Sequence, residues 1–232
     1  MAHSILDRGI AMKDDEVLDF LTPKAYNQND LKRFGREQDG GYVIPVEYCK
    51  RCKTLMSFGV GDDISFERDF IKENPNVVVE LYDGTVDALP ENIVCNFHRQ
   101  NCEFGKTNPF DGVQPPVFCK MDIEGEEYNL PKLSTDLLSG VECIVMEVHF
   151  LDGNKEKAES LFSYLSDCGM SVIHLHGNNN SSYQFSFGVK MPQTLELTMI
   201  KKSIAEKSDA SFPIKGLDFP CNPFREDLSV FG

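Results

Sequence analysis

From Lys53 onward, seven apolar strand-like runs recur along this chain, most of them separated by helix-compatible segments. They are KTLMSFGVG, NVVVELYD, NIVCNFH, PVFCKMDIEG, VECIVMEVHF, MSVIHLH and LELTMIKKS. NVVVEL and ECIVMEV are almost continuously apolar, as strands covered on both faces are. Strands that alternate with helices imply right-handed crossovers and a mostly parallel sheet. The clearest intervening helix is NKEKAESLFSYLSDCG, where Ala158, Leu161, Phe162 and Leu165 share one apolar face and Gly169 sits at the C-terminal cap. The last two strands break the alternation. The link GNNNSSYQFSFGVKMPQT is poor as a helix and suits an antiparallel return.

The expected architecture is α/β in one domain, residues 1–232. Residues 1–52 form an extension with a short helix around Asp14–Leu21 and a turn-rich piece, GREQDGGYVIP. Residues 53–207 form the core sheet, and residues 208–232, with three prolines, an irregular strap.

The formal charge of −14 opposes a nucleic-acid surface, because phosphate backbones need a basic footprint. No apolar run reaches the roughly 20 residues needed to span a bilayer, and the N-terminus lacks the basic-then-apolar order of a secretory signal. Of eight cysteines, only Cys49 and Cys52 form a tight pair, and no second pair stands at zinc-ligand spacing. Cys95, Cys119 and Cys143 fall in apolar runs, where free cysteine acts as a small hydrophobe. Reduced thiols and a cytoplasmic location are the expectation.

The first strand ends in SFGVGDDISFE, a strand–turn–helix setting in which Gly59 and Gly61 let the backbone approach a ligand. Ile64 stands where the dinucleotide fingerprint has its third glycine, and Asp62 and Asp63 would repel a pyrophosphate. Asp83, ending the second strand, lies at the spacing of a ribose-binding acid. Its other reading is the start of an ordinary turn before Gly84. Together these residues favour an adenosine cofactor with a cationic portion, such as S-adenosylmethionine.

The segments GREQDGGYVIP, LMSFGVGDDISFE, LYDGTVDALP, KMDIEGEEY, VMEVHF and IHLHGNN occur in this order between Gly35 and Asn179. In this ordered set the chain resembles the FkbM-type methyltransferases. The resemblance implies a Rossmann-like class I methyltransferase sheet of order 3-2-1-4-5-7-6, with strand 7 antiparallel and helices on both faces. It implies S-adenosyl-L-methionine as donor and an oxygen acceptor, often a sugar hydroxyl. On it, Phe58, Gly59 and Gly61 line the cofactor turn and Asp83 holds the ribose. Glu67 and Asp39 to Val43 match positions near the methionine end. The acid that commonly precedes the turn is here Ser57.

Ligands of open α/β sheets sit beyond the carboxyl ends of the strands. Alternation would place Asp122 and Glu124 together on the fourth strand, Glu147 and His149 on the fifth, and His174 and His176 on the sixth. A sugar hydroxyl is a poor nucleophile until a base or metal assists it. His149 is the first choice for base, with Asp122 orienting the acceptor or taking the proton itself and Glu124 as a lesser candidate. Alternatively, Asp122, His149 and His176 would hold Mg²⁺ or Mn²⁺. His174 reads as structural, Glu126 and Glu127 as helix-start acids, and Asn178 and Asn179 as a turn or as acceptor contacts.

The leading expectation is an O-methyltransferase acting on a sugar or glycoside, with a small-molecule or glycan acceptor. The alternatives are an NAD(P)-dependent oxidoreductase and a non-catalytic cofactor-binding protein.

Overall fold

A computed structural model describes residues 12–106, 108–149 and 154–230. Helix α1 (Asp14–Leu21) starts the described chain, as expected, and buries Val17, Phe20 and Leu21. Strands β1 (Leu31–Phe34) and β2 (Tyr42–Pro45) pair antiparallel around the DGG turn, followed by α2 (Val46–Arg51). Then come β3 (Thr54–Phe58), α3 (Ser65–Glu73), β4 (Val78–Tyr82), β5 (Asn96–His98), β6 (Val117–Met121) and β7 (Val141–His149). The chain continues through α4 (Lys155–Asp167), β8 (Met170–Gly177), the hairpin β9 (Tyr183–Ser186) and β10 (Val189–Pro192), and β11 (Thr194–Lys201).

Seven strands form one sheet in the order β5-β4-β3-β6-β7-β11-β8. This is the expected 3-2-1-4-5-7-6. β3, β4, β5, β6 and β7 are parallel, and β11 runs antiparallel to both of its neighbours. The sheet is buried on both faces. Met56, Cys119, Ile144 and Met146 face α1 and α4, whereas Leu55, Phe118, Cys143 and Val145 face α2 and α3. That two-residue alternation is what a covered strand requires.

The helices are sparser than the alternating pattern predicts. Among the described residues, no α-helix lies between β4 and β5, between β5 and β6, or between β6 and β7, where short 3₁₀ turns at Glu126–Lys132 and Thr135–Leu138 stand instead. The first two links carry Pro90, Pro109, Pro115 and Pro116. Proline removes a donor and clashes with the preceding turn. The segment after Ser208 forms no strand or helix in its described part and is tied down by isolated bridges such as Gly177 to Leu228.

Phe118 anchors the α3 side: it is fully buried, with Phe70 at 4.9 Å and Phe66 at 6.3 Å between ring centroids. Phe118→Ala is expected to cost about 3–5 kcal/mol, measured as a fall in the urea unfolding midpoint.

Candidate active site

A cleft of about 950 Å³ opens beyond the carboxyl ends of β3, β4 and β6. Its floor is the turn from Gly59 to Asp63. Gly59 has φ +74, and a Cβ there would lie 1.6 Å from the Asp122 carbonyl oxygen, so only glycine lets the two strand ends meet. Gly61, at φ +59, has nothing within 4 Å of a would-be Cβ and faces open space.

Asp83 holds this turn. Its Oδ2 accepts from the Val60 and Gly61 amides at 3.0 and 2.8 Å, and its Oδ1 from the Thr85 amide and hydroxyl, both at 2.6 Å. Burial alone would raise its pKa, but the hydrogen bonds from Thr85, Gly61 and Val60 outweigh that and hold it below the ordinary carboxylate value.

The cleft is acidic. Asp39, Asp62, Asp63 and Asp83 line it on the turn side, and Glu103, Asp122, Glu124 and Glu126 on the other. Only Arg36, Lys120 and Lys157 oppose them. Arg36 is engaged with Asp63 at 2.6 Å, and Lys120 donates to the Gly59 carbonyl at 3.0 Å.

Phe58 and Glu67, expected at the cofactor turn, stand behind it, off the cleft wall. The Phe58 ring packs into the core against Tyr82, Phe104 and Phe110 because its strand position points to the α1–α4 face. Glu67 is fully buried on α3, accepts from the Ser57 hydroxyl at 2.5 Å and lies 3.6 Å from Lys120 Nζ. An acid from α3 thus meets the serine that stands where the strand acid is usual. Its Oε2 has no partner.

Asp122 lines the cleft and accepts from the Tyr42 hydroxyl at 3.1 Å. Glu124 does not share its face in strand register. The strand ends at Met121, Glu124 takes φ +53 and Gly125 takes φ +100, so alternation stops before it applies. A non-glycine residue at positive φ marks backbone held under constraint.

Antiparallel pairing sets Glu196 of β11 directly opposite Glu147 of β7 and opposite His176 of β8. Ligand atoms of Asp39, Glu147 and Glu196 lie within 4.8 Å of one another. Asn178 donates to Glu147 Oε1 at 3.0 Å and to Asp39 Oδ1 at 3.2 Å, bridging two of these acids. Burial, then the charges of Asp122, Glu196 and Asp39, push Glu147 well above the ordinary carboxylate range.

His149 is off the cleft wall. Its ring lies 3.4–3.5 Å from carboxylate oxygens of Glu124, Glu127 and Glu147. Glu127 does more than start a turn: fully buried, it accepts from the Gly125 amide at 2.7 Å and from the His149 amide at 3.2 Å. Burial would lower the His149 pKa, but Glu127, Glu124 and Asp122 raise it above its ordinary value. It therefore holds a proton more tightly than a free base at neutral pH would.

The set Asp122, His149 and His176 is not brought together as metal ligands among the described residues. His176 is turned away: Nδ1 lies 2.8 Å from Glu196 Oε2 and Nε2 lies 3.0 Å from Asp227. His174 has the structural place expected, paired with buried Asp218 at 3.1 Å. Asn179 donates to the carbonyls of Asn222, Arg225 and Glu226, holding the C-terminal strap rather than an acceptor. Sequence reasoning included Tyr42 only within the segment Asp39 to Val43 and did not single out Glu196 or Lys120. The alternation in LELTM and FCKM, with one charged residue among apolar neighbours, was the available signal for two of them.

No family model matches the chain, and no curated protein does. Solved structures are similar to it in fold. One is StiE O-MT residues 961–1257, at TM-score 0.46 and 12% identity, covering 68% of this chain and 71% of that one. Another is a precorrin-6y C5,15-methyltransferase from Geobacter metallireducens GS-15, at TM-score 0.40 and 13% identity, covering 68% and 85%. A third is a candidate hemolysin from Streptococcus thermophilus, at TM-score 0.41 and 14% identity, covering 71% of this chain. This chain spans 64% of that protein's length. The strand order decides the architecture. The fold is that of a class I methyltransferase.

Glu127→Gln is expected to lower the His149 pKa, measured by NMR titration of the ring. Because the folded value is raised, the stabilisation from this contact is complete below the unfolded value of 6.5 and fades as pH rises through the folded one.

Proposed function

We propose that the chain is an S-adenosylmethionine-dependent O-methyltransferase of the FkbM type, acting on a hydroxyl of a sugar or glycoside. The observation that carries this reading is the acidic cleft at the glycine turn, running from Asp83 to Asp122. Its lining suits a ligand with a sulfonium and an ammonium and repels one with a pyrophosphate. The open space over Gly61 leaves room for a ligand against the turn. Asp83 would take the ribose hydroxyls in place of the Thr85 hydroxyl, the one donor of its four on a rotating side chain. The ordered segments from Gly35 to Asn179 support the FkbM assignment and, through it, the sugar acceptor.

When bound, the cofactor supplies an electrophilic methyl on sulfur. The acceptor hydroxyl would lie against Asp122, the acid that is both on the cleft wall and held by Tyr42. The acceptor oxygen would take the methyl as the methyl–sulfur bond breaks and S-adenosylhomocysteine leaves, and the hydroxyl proton would pass to Asp122. His149, kept in place by Glu127, balances the charge of Glu124 and Glu147 and is a positioning residue in this scheme. Holding the acceptor hydroxyl in line with the donor methyl would contribute on the order of 7–11 kcal/mol to a bimolecular transfer.

S-adenosylhomocysteine is expected to raise the melting temperature, with the shift lost in Asp83→Ala and NAD giving none. A shift by NAD alone would overturn the cofactor assignment. Asp122→Asn is expected to keep the S-adenosylhomocysteine shift while slowing methyl transfer to a glycoside panel by about 10²–10⁴-fold. If labelled methyl reaches no acceptor in the unmodified protein, the protein binds the cofactor without catalysis.

A further inference from the structure

Adjoining the acid row, and sharing Glu196 with it, lies a second group of buried side chains. His176 of β8, Glu196 of β11 and Cys221 of the C-terminal strap are all buried, and their ligand atoms lie within 4.8 Å of one another. The His176 Nδ1 is 2.8 Å from Glu196 Oε2, and the Cys221 thiol donates to Glu196 Oε1 at 3.2 Å. The far ring nitrogen faces Asp227 Oδ1 at 3.0 Å, and that oxygen is itself held by the Leu228 amide at 2.9 Å.

We propose that His176, Glu196 and Cys221 form a zinc site that ties the C-terminal strap to the sheet. Imidazole nitrogen, thiolate sulfur and carboxylate oxygen are the donors zinc takes, at about 2.0–2.3 Å each. Tetrahedral placement at those lengths puts donors roughly 3.3–3.8 Å apart, inside the 4.8 Å that bounds the present ligand atoms. The thiolate selects zinc over the hard cations Mg²⁺ and Ca²⁺, which take oxygen donors. Asp227 occupies the place of the outer carboxylate that orients a zinc-bound histidine through its other nitrogen.

Charge also balances. With imidazolium, thiol and two carboxylates the group carries −1. One Zn²⁺ replacing the Nδ1 and Sγ protons leaves the same −1, so occupation adds no buried charge. Cys221 and Asp227 are 44 and 50 residues beyond Gly177, the last residue of β8. A metal here would close a long loop as a covalent cross-link does. The inference is independent of the acceptor and of the cofactor.

The test uses the full chain without a histidine tag, reconstituted with zinc, desalted and assayed for metal by mass spectrometry. About one zinc per chain is expected. His176→Gln and Cys221→Ala should each weaken zinc affinity by about ten-fold or more, and the Cys49→Ala/Cys52→Ala double variant should keep the metal. Should the first two variants fail to fold, Co²⁺ added to the unmodified protein must give thiolate-to-cobalt absorption with tetrahedral ligand-field bands. A metal-free protein after reconstitution overturns the proposal, as does zinc that leaves with Cys49 and Cys52. So does a cobalt spectrum without the thiolate band.

Discussion

The insertion of β11 between β7 and β8, running against both, is the constraint on which the rest of the site depends. It sets two glutamates face to face, Glu147 and Glu196, with His176 on the other side of Glu196. Like charges directly opposite each other in a sheet are destabilising, and these two are 5% and 4% exposed. The structure answers with donors from several directions. Asn178 binds Glu147, while His176 and Cys221 bind Glu196. The turn after β8 and the C-terminal strap are therefore attached to the sheet by the same charges that crowd the strand ends.

β6 joins this acid row to the cofactor side. Its residues alternate between the two faces, so Phe118 packs on α3 while Cys119 and Met121 pack on the α1–α4 side. Lys120 then falls on the α3 side. There it binds the Gly59 carbonyl and lies near Glu67. One residue past the strand, the Asp122 amide still donates to the Phe58 carbonyl at 3.0 Å. The glycine turn and the proposed base are thus parts of one contact, and Gly59 is the residue that lets it close.

Much of the fold was legible because burial leaves a direct trace in residue type. The seven runs all contain strands of the sheet, α1 has the expected bounds, and Ala158, Leu161, Phe162 and Leu165 are buried on α4 as their spacing requires. The crossovers around β5 were less legible, since proline-rich links replace the helices that alternation implies. Gly59, Gly61 and Asp83, singled out in the sequence, all line the cleft. Phe58 and Glu67 are buried behind the turn, because proximity in sequence to the turn does not say which way a side chain points. Glu124 lines the cleft with Asp122, but not through strand alternation, because the strand ends at Met121.

By itself the sequence determined the sheet and its antiparallel strand, because hydrophobic periodicity and turn composition are local properties. It also determined that an acidic glycine turn would follow the first strand of the sheet. Which acids share a site was decided only by tertiary structure. Asp39, Asp122, Glu147 and Glu196 come from four separate segments, and strand register sets Glu196 against Glu147 and His176. Register depends on packing across the whole sheet, and a one-residue slip would turn each of those side chains to the opposite face.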